Sequence, residues 1–86
     1  MIDINVELLP KAAQYLKSMN QPDKGRVMRA LDKLGQEPPQ GDIRSLTGKD
    51  GYRLRVGSYR VLFDVMESSI VVYSIAPRGQ SYKGGF

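Results

Sequence analysis

Four arginines carry the most distinctive chemistry in this chain. Arg53, Arg55 and Arg60 fall within GYRLRVGSYRVLFDV (residues 51–65), and Arg78 opens RGQSYKGGF, which also supplies Tyr82 and Lys83. A guanidinium presents a planar fork of donors that matches phosphate oxygens two at a time. It does not deprotonate in a protein, so it cannot serve as a general base. Its uses are to hold an anion and to stabilise negative charge that develops in a transition state. A tyrosine beside such a cluster can stack on a nucleobase or exchange a proton with a sugar hydroxyl. The chain contains no histidine and no cysteine. The commonest metal ligand and the usual base near neutral pH are therefore missing, as are thiolate metal sites and disulfides, which fits a reducing cytoplasm.

The charge distribution points the same way. Residues 1–43 hold six Lys/Arg and six Asp/Glu, whereas residues 44–86 hold seven Lys/Arg and three Asp/Glu, so the net +4 lies wholly in the second half. A segregated positive field implies a polyanionic partner: nucleic acid, a phosphate-bearing ligand or an acidic protein. At 86 residues the chain is expected to form a single domain spanning 1–86. Its N-terminus lacks the basic and apolar regions of a signal peptide, and no segment has the length of a transmembrane helix.

The elements that must position these arginines follow from periodicity. Ile2, Ile4 and Val6 alternate with polar residues, as in a short half-buried strand. Leu9, Ala12, Ala13, Leu16 and Met19 have helical spacing, with Pro10 suited to the first turn. NQPD ends that helix, and Asp23 is expected to cap a second one whose Val27, Leu31 and Leu34 share a face, with Met28 beside them. GQEPPQGD is a loop. Ile43–Leu46 reads as a short strand, and from Tyr52 to Ala76 the chain reads as strand, turn, strand, loop, strand. The expected fold class is α+β: two N-terminal helices packed on one face of a twisted, mainly antiparallel sheet.

The hairpin register can be worked out. Gly57-Ser58 has the glycine-first form of a two-residue type II′ connection. Val56 then faces Tyr59, Arg55 faces Arg60, Leu54 faces Val61 and Arg53 faces Leu62. Alternation places Tyr52, Leu54, Val56, Tyr59, Val61, Phe63 and Val65 on the core face. Arg53, Arg55, Arg60, Leu62 and Asp64 share the other face. Like charges directly opposite each other are destabilising, so the Arg55–Arg60 pair demands an explanation. Aligning Val71, Tyr73 and Ile75 with the core predicts a three-residue loop, Glu67–Ser69, pairing Met66 with Ile70 and Arg60 with Ala76. Ile70, Val72, Ser74 and Ala76 would then join the arginine face, with Asp64 its one acid. Arg78 would emerge beside Arg60, and a bend at Gly79 would return Tyr82 over the arginines. Arginine is also an ordinary solvent-facing strand residue, but four converging with one acid favour an anion site.

SLTGKDGYRLRVGSYRVLFDV together with the later PRGQSYK resembles the RelE/ParE superfamily of type II toxins, over nearly the whole chain. The resemblance implies a RelE-like fold and a cognate antitoxin that wraps the toxin. In the RelE-like branch it implies a ribosome-dependent endoribonuclease, an mRNA interferase. Such an enzyme enters the ribosomal A site and cleaves mRNA through the message's own 2′-hydroxyl, with no metal or other cofactor and no membrane partner. Residue by residue, it implies that Arg60, Arg78 and Tyr82 are catalytic and that Arg53, Arg55 and Lys83 bind substrate. Tyr82 would act as acid or base, or only stack on a base. The ParE-like branch implies instead a DNA gyrase poison, and an inactive antitoxin-binding member is a third reading. The R-G-x-x-Y-K ending favours the ribonuclease branch.

Overall fold

The structure, a computed structural model, describes residues 5–36, 39–46, 48 and 51–77. Its five strands form one sheet in the order β1-β5-β4-β3-β2, comprising β1 (Asn5–Leu8), β2 (Asp42–Ser45), β3 (Tyr52–Val56), β4 (Tyr59–Met66) and β5 (Ser69–Pro77). β1 runs parallel to β5, and every other pairing is antiparallel. Two helices, α1 (Pro10–Ser18) and α2 (Asp23–Leu34), lie between β1 and β2 in sequence and cover one face of the sheet. This is the expected α+β architecture.

The core forms because the helical and strand periods present apolar side chains to the same layer. Ala12 of α1 and Val27, Leu31 and Leu34 of α2 pack with Leu54, Val61, Phe63, Ile70, Val72 and Ile75 of the sheet. Burying a leucine-, valine- or phenylalanine-sized side chain contributes about 1.5–3 kcal/mol relative to leaving it exposed. The ten residues of this cluster are therefore the main source of stability. Tyr52 and Phe63 stack with ring centroids 5.5 Å apart. Pro10 starts α1, where a missing N–H is harmless, and the Ala13 N–H donates to the Leu9 carbonyl at 2.9 Å.

Two expectations are corrected. Asp23 is the first residue of α2 rather than its cap; Pro22 occupies the cap position and makes no side-chain bond. The Asp23 carboxylate still complements the positive end of the helix, and it accepts a hydrogen bond from the Tyr59 hydroxyl at 3.0 Å. The second correction concerns β4 and β5. Their turn has two residues, Glu67 and Ser68, so that Met66 faces Ser69 and Val65 faces Ile70. A bulge at Leu62/Phe63 leaves Tyr73 with no residue opposite it on β4 and restores Arg60 opposite Ala76, as expected. An extra residue on one strand reverses the phase of everything beyond it. Ile70 and Val72 therefore lie in the core and not on the arginine face, while Val71, opposite Asp64, takes that place.

Candidate functional site

The sheet face turned away from the helices carries the arginines in two rows. Asp42, Arg55, Arg60 and Ala76 lie side by side across β2, β3, β4 and β5. Arg44, Arg53, Leu62 and Ser74 form the next row. The Arg55–Arg60 pair deduced from the turn is present, and Arg44–Arg53 is a second direct like-charge pair.

Each such pair is destabilising, on the scale of the roughly 0.2–1 kcal/mol that a favourable cross-strand pair contributes. The structure shows how the cost is offset. Asp42, which sequence reasoning did not place here, ends the arginine row and ion-pairs with both Arg44 and Arg55 at 3.7 Å. All three side chains are between 41% and 65% exposed, so each pair contributes about 1 kcal/mol at most. The two effects are of similar size, and the row is close to neutral for stability. Asp64 is therefore not the one acid of the face. Glu7, opposite Val71 on β1, is a third carboxylate on it.

The centre of the face is shielded from solvent. Leu62 is fully buried although it lies opposite the helix side, flanked by Arg53 across the strand and Arg60 along it. The Nε atoms of Arg53 and Arg60 are buried too. The inner parts of these two side chains are thus held out of solvent. Such an arrangement lowers the entropy a guanidinium loses on gripping an anion and raises the local strength of its field.

The bulge adds Tyr73. It is not part of the helix-side core, and its hydroxyl lies 3.0 Å from where a β-carbon on Gly51 would stand. Burial, and then the negative charge of Asp64, raise its pKa above the ordinary tyrosine value. The phenol is thus a neutral donor at physiological pH. Tyr59, at the other end of β4, is also raised, chiefly because its hydroxyl donates to Asp23.

Of the residues singled out from the sequence, Arg53, Arg55 and Arg60 come together as expected. Arg78, Tyr82 and Lys83 lie outside the described residues. Sequence reasoning missed Arg44, Asp42 and Tyr73. The first two were within reach: once Ile43 is taken as a core residue, alternation puts its neighbours on the arginine face. Tyr73 was not, because SIVVYSIAP is apolar in either phase. Among the described residues no group of three or more His, Cys, Asp or Glu could hold a metal ion. No helix among them is long and apolar enough to cross a membrane.

Comparison with known proteins places the chain in a family. Residues 6–82 match the family described as the ParE toxin of the type II toxin–antitoxin system parDE. No curated protein sequence matches significantly. Among solved structures, the archaeal RelE–RelB complex from Pyrococcus horikoshii is similar, with a TM-score of 0.76 and 28% identity over 92% of this chain and 99% of that one. The RelB–RelE antitoxin–toxin complex from Methanococcus jannaschii shares the fold, with a TM-score of 0.72 and 20% identity over 88% of this chain and 94% of that one. So does an Escherichia coli toxin RelE variant in the free state, with a TM-score of 0.73 and 15% identity over 95% of this chain and 90% of that one. The chain belongs to the RelE/ParE family of toxins from type II toxin–antitoxin systems.

Proposed function

We propose that this toxin is a cytoplasmic, ribosome-dependent mRNA endonuclease held in check by a cognate antitoxin. The observation that supports it best is the double row of guanidinium groups, Arg55 opposite Arg60 and Arg44 opposite Arg53, around a buried apolar centre. In this reading the message's 2′-oxygen attacks the adjacent phosphorus. The 2′-O–P bond forms, the P–O5′ bond breaks, and a 2′,3′-cyclic phosphate and a 5′-hydroxyl result. One proton leaves the 2′-hydroxyl and one reaches the departing 5′-oxygen.

Arg60 and Arg78 clamp the scissile phosphate and stabilise the charge of its five-coordinate transition state. Arg53, Arg55 and Lys83 hold the flanking backbone, and Arg44 joins them. Tyr82 moves a proton or stacks on a base; Tyr73, kept neutral by its raised pKa, is a hydrogen-bond donor on the same face and not the acid. Fixing the 2′-oxygen in line supplies much of the remaining acceleration.

The test is to add the purified protein to a translating extract and map mRNA ends. Cuts within A-site codons are expected, reduced about 10²–10³-fold by Arg60→Ala, the scale of removing one electrostatic interaction with the transition state. Intact message at doses that stop translation would defeat the proposal. A second reading, poisoning of DNA gyrase, is favoured by the match to a ParE rather than a RelE family description. A supercoiling assay with a DNA-cleavage readout separates the two.

A further inference from the structure

A cleft of about 280 Å³ opens at the edge of the sheet, where α2 passes the end of β3. Arg26, Arg29, Ala30 and Lys33 line it from α2, Gln40 and Gly41 from the loop before β2, and Leu54, Arg55 and Val56 from β3. Four cationic residues thus border a volume just below the roughly 300–1,000 Å³ of drug-sized ligand sites. Among the described residues no carboxylate lines it. Asp23 stands 4.0 Å from Arg26, and Asp42 stands 3.7 Å from Arg55. Both pairs are exposed and weak, so an incoming anion can displace them.

The cleft is built rather than incidental. Gly41 has φ +136, and a β-carbon there would come within 2.6 Å of Leu54 Cδ1, so only glycine lets the loop lie this close. The Lys33 carbonyl, near the negative end of α2, accepts the N–H groups of Gln36 and Gln40 at 3.2 and 3.1 Å. Those two donors mute a carbonyl dipole that would repel an anion.

Arg55 belongs both to this cleft and to the row of Asp42, Arg55, Arg60 and Ala76. One polyanionic strand can therefore engage both. We propose that the cleft is a second phosphodiester site, seating an RNA backbone phosphate outside the cleavage centre. The inference rests on reading the arginine face as an RNA-binding surface. The phosphate comes either from the message itself, continuing round the sheet edge, or from ribosomal RNA.

The test is equilibrium binding by the full chain carrying Arg29→Gln and Lys33→Gln, two exposed positions on α2. The probes are uncleavable 2′-O-methyl RNAs of increasing length, and message-free ribosomes, over a range of salt. Affinity should fall about tenfold, and the slope of log affinity against log salt should shrink by about 0.7 for each single-strand phosphate the variant no longer neutralises. A weakening that grows with oligonucleotide length assigns the phosphate to the message, and one confined to ribosomes assigns it to ribosomal RNA. Lys11→Gln with Lys17→Gln on α1 should change neither. Unchanged affinity and slope in both arms would overturn the proposal, as would weakened binding of the antitoxin alone, which would assign the cleft to an acidic protein segment. Because the probes cannot be cleaved, a protein that binds them normally yet never cuts message defeats the nuclease reading and leaves this one standing.

Discussion

The two faces of one sheet solve opposite problems with the same strands. Beneath the helices, Leu54, Val61, Phe63, Ile70, Val72 and Ile75 form a continuous apolar layer. On the other side, Arg44, Arg53, Arg55 and Arg60 lie in two rows, with Asp42 and Asp64 among them and Leu62 buried at the centre. The first face gains free energy from every residue in it. The second gains almost nothing from its charges, since repulsion across the strands and exposed ion pairs are each worth about 1 kcal/mol or less. A surface that costs as much as it returns is best explained by what it binds.

Breaking the buried layer should have the largest effect. Phe63→Ala is expected to cost about 3–5 kcal/mol, a large part of the roughly 5–15 kcal/mol that holds a small domain together. Leu62→Ala, on the charged side, should cost about 2–5 kcal/mol, as Leu54→Ala does on the helix side. Urea denaturation measures all three. A Leu62 variant that loses nothing would show that the centre of the arginine face is not a second, small core.

Gly51→Ala comes next. Its φ of +113 and the Tyr73 hydroxyl at 3.0 Å leave no unstrained place for a methyl group. About 1–3 kcal/mol should be lost, and replacing Tyr73 with phenylalanine in that background should recover part of it. Asp42→Asn should change stability by no more than about 1 kcal/mol, while tightening RNA binding up to about fivefold at low salt. Equal binding by the variant and its parent would mean that Asp42 does not offset the guanidinium field.

The smallest effect is the sharpest in sign. The Tyr59 pKa is raised, first by its hydrogen bond to Asp23. The stability this bond supplies is therefore complete below the unfolded tyrosine pKa near 10 and is lost as pH rises through the folded value. Tyr59→Phe should melt below its parent at pH 7–9, and the gap should close above about pH 10. Tyr73 is present in both proteins, so the difference between them isolates Tyr59.

The hairpin was legible because a two-residue turn beginning with glycine leaves only one register, and strict alternation then sorts Arg53, Arg55 and Arg60 from Leu54, Val61 and Phe63. Beyond Leu62 that logic failed. In the run Ile70-Val71-Val72 every residue is apolar, so neither phase was disfavoured. The bulge that settles the matter also moves Tyr73 onto the arginine side, with no local mark in the sequence. Alternation about Ile43 would have put Asp42 on the arginine face, but the loop before β3 does not set which arginine it stands opposite. Asp23 reads as a cap in the sequence, yet Pro22 holds that position and the Asp23 carboxylate accepts the Tyr59 hydroxyl.

The central claim is that the fork geometry of the arginine row, and not merely its charge, acts on a phosphate in mRNA. Arg60→Lys keeps the charge and removes the fork, so message ends should be mapped in translating extract with this variant and its parent at equal folded concentration. A-site cuts by the parent and at least a tenfold loss in the variant are expected, the scale of about 1.4 kcal/mol in the transition state. Undiminished cutting by the variant, or an uncut message while translation stops, would contradict it.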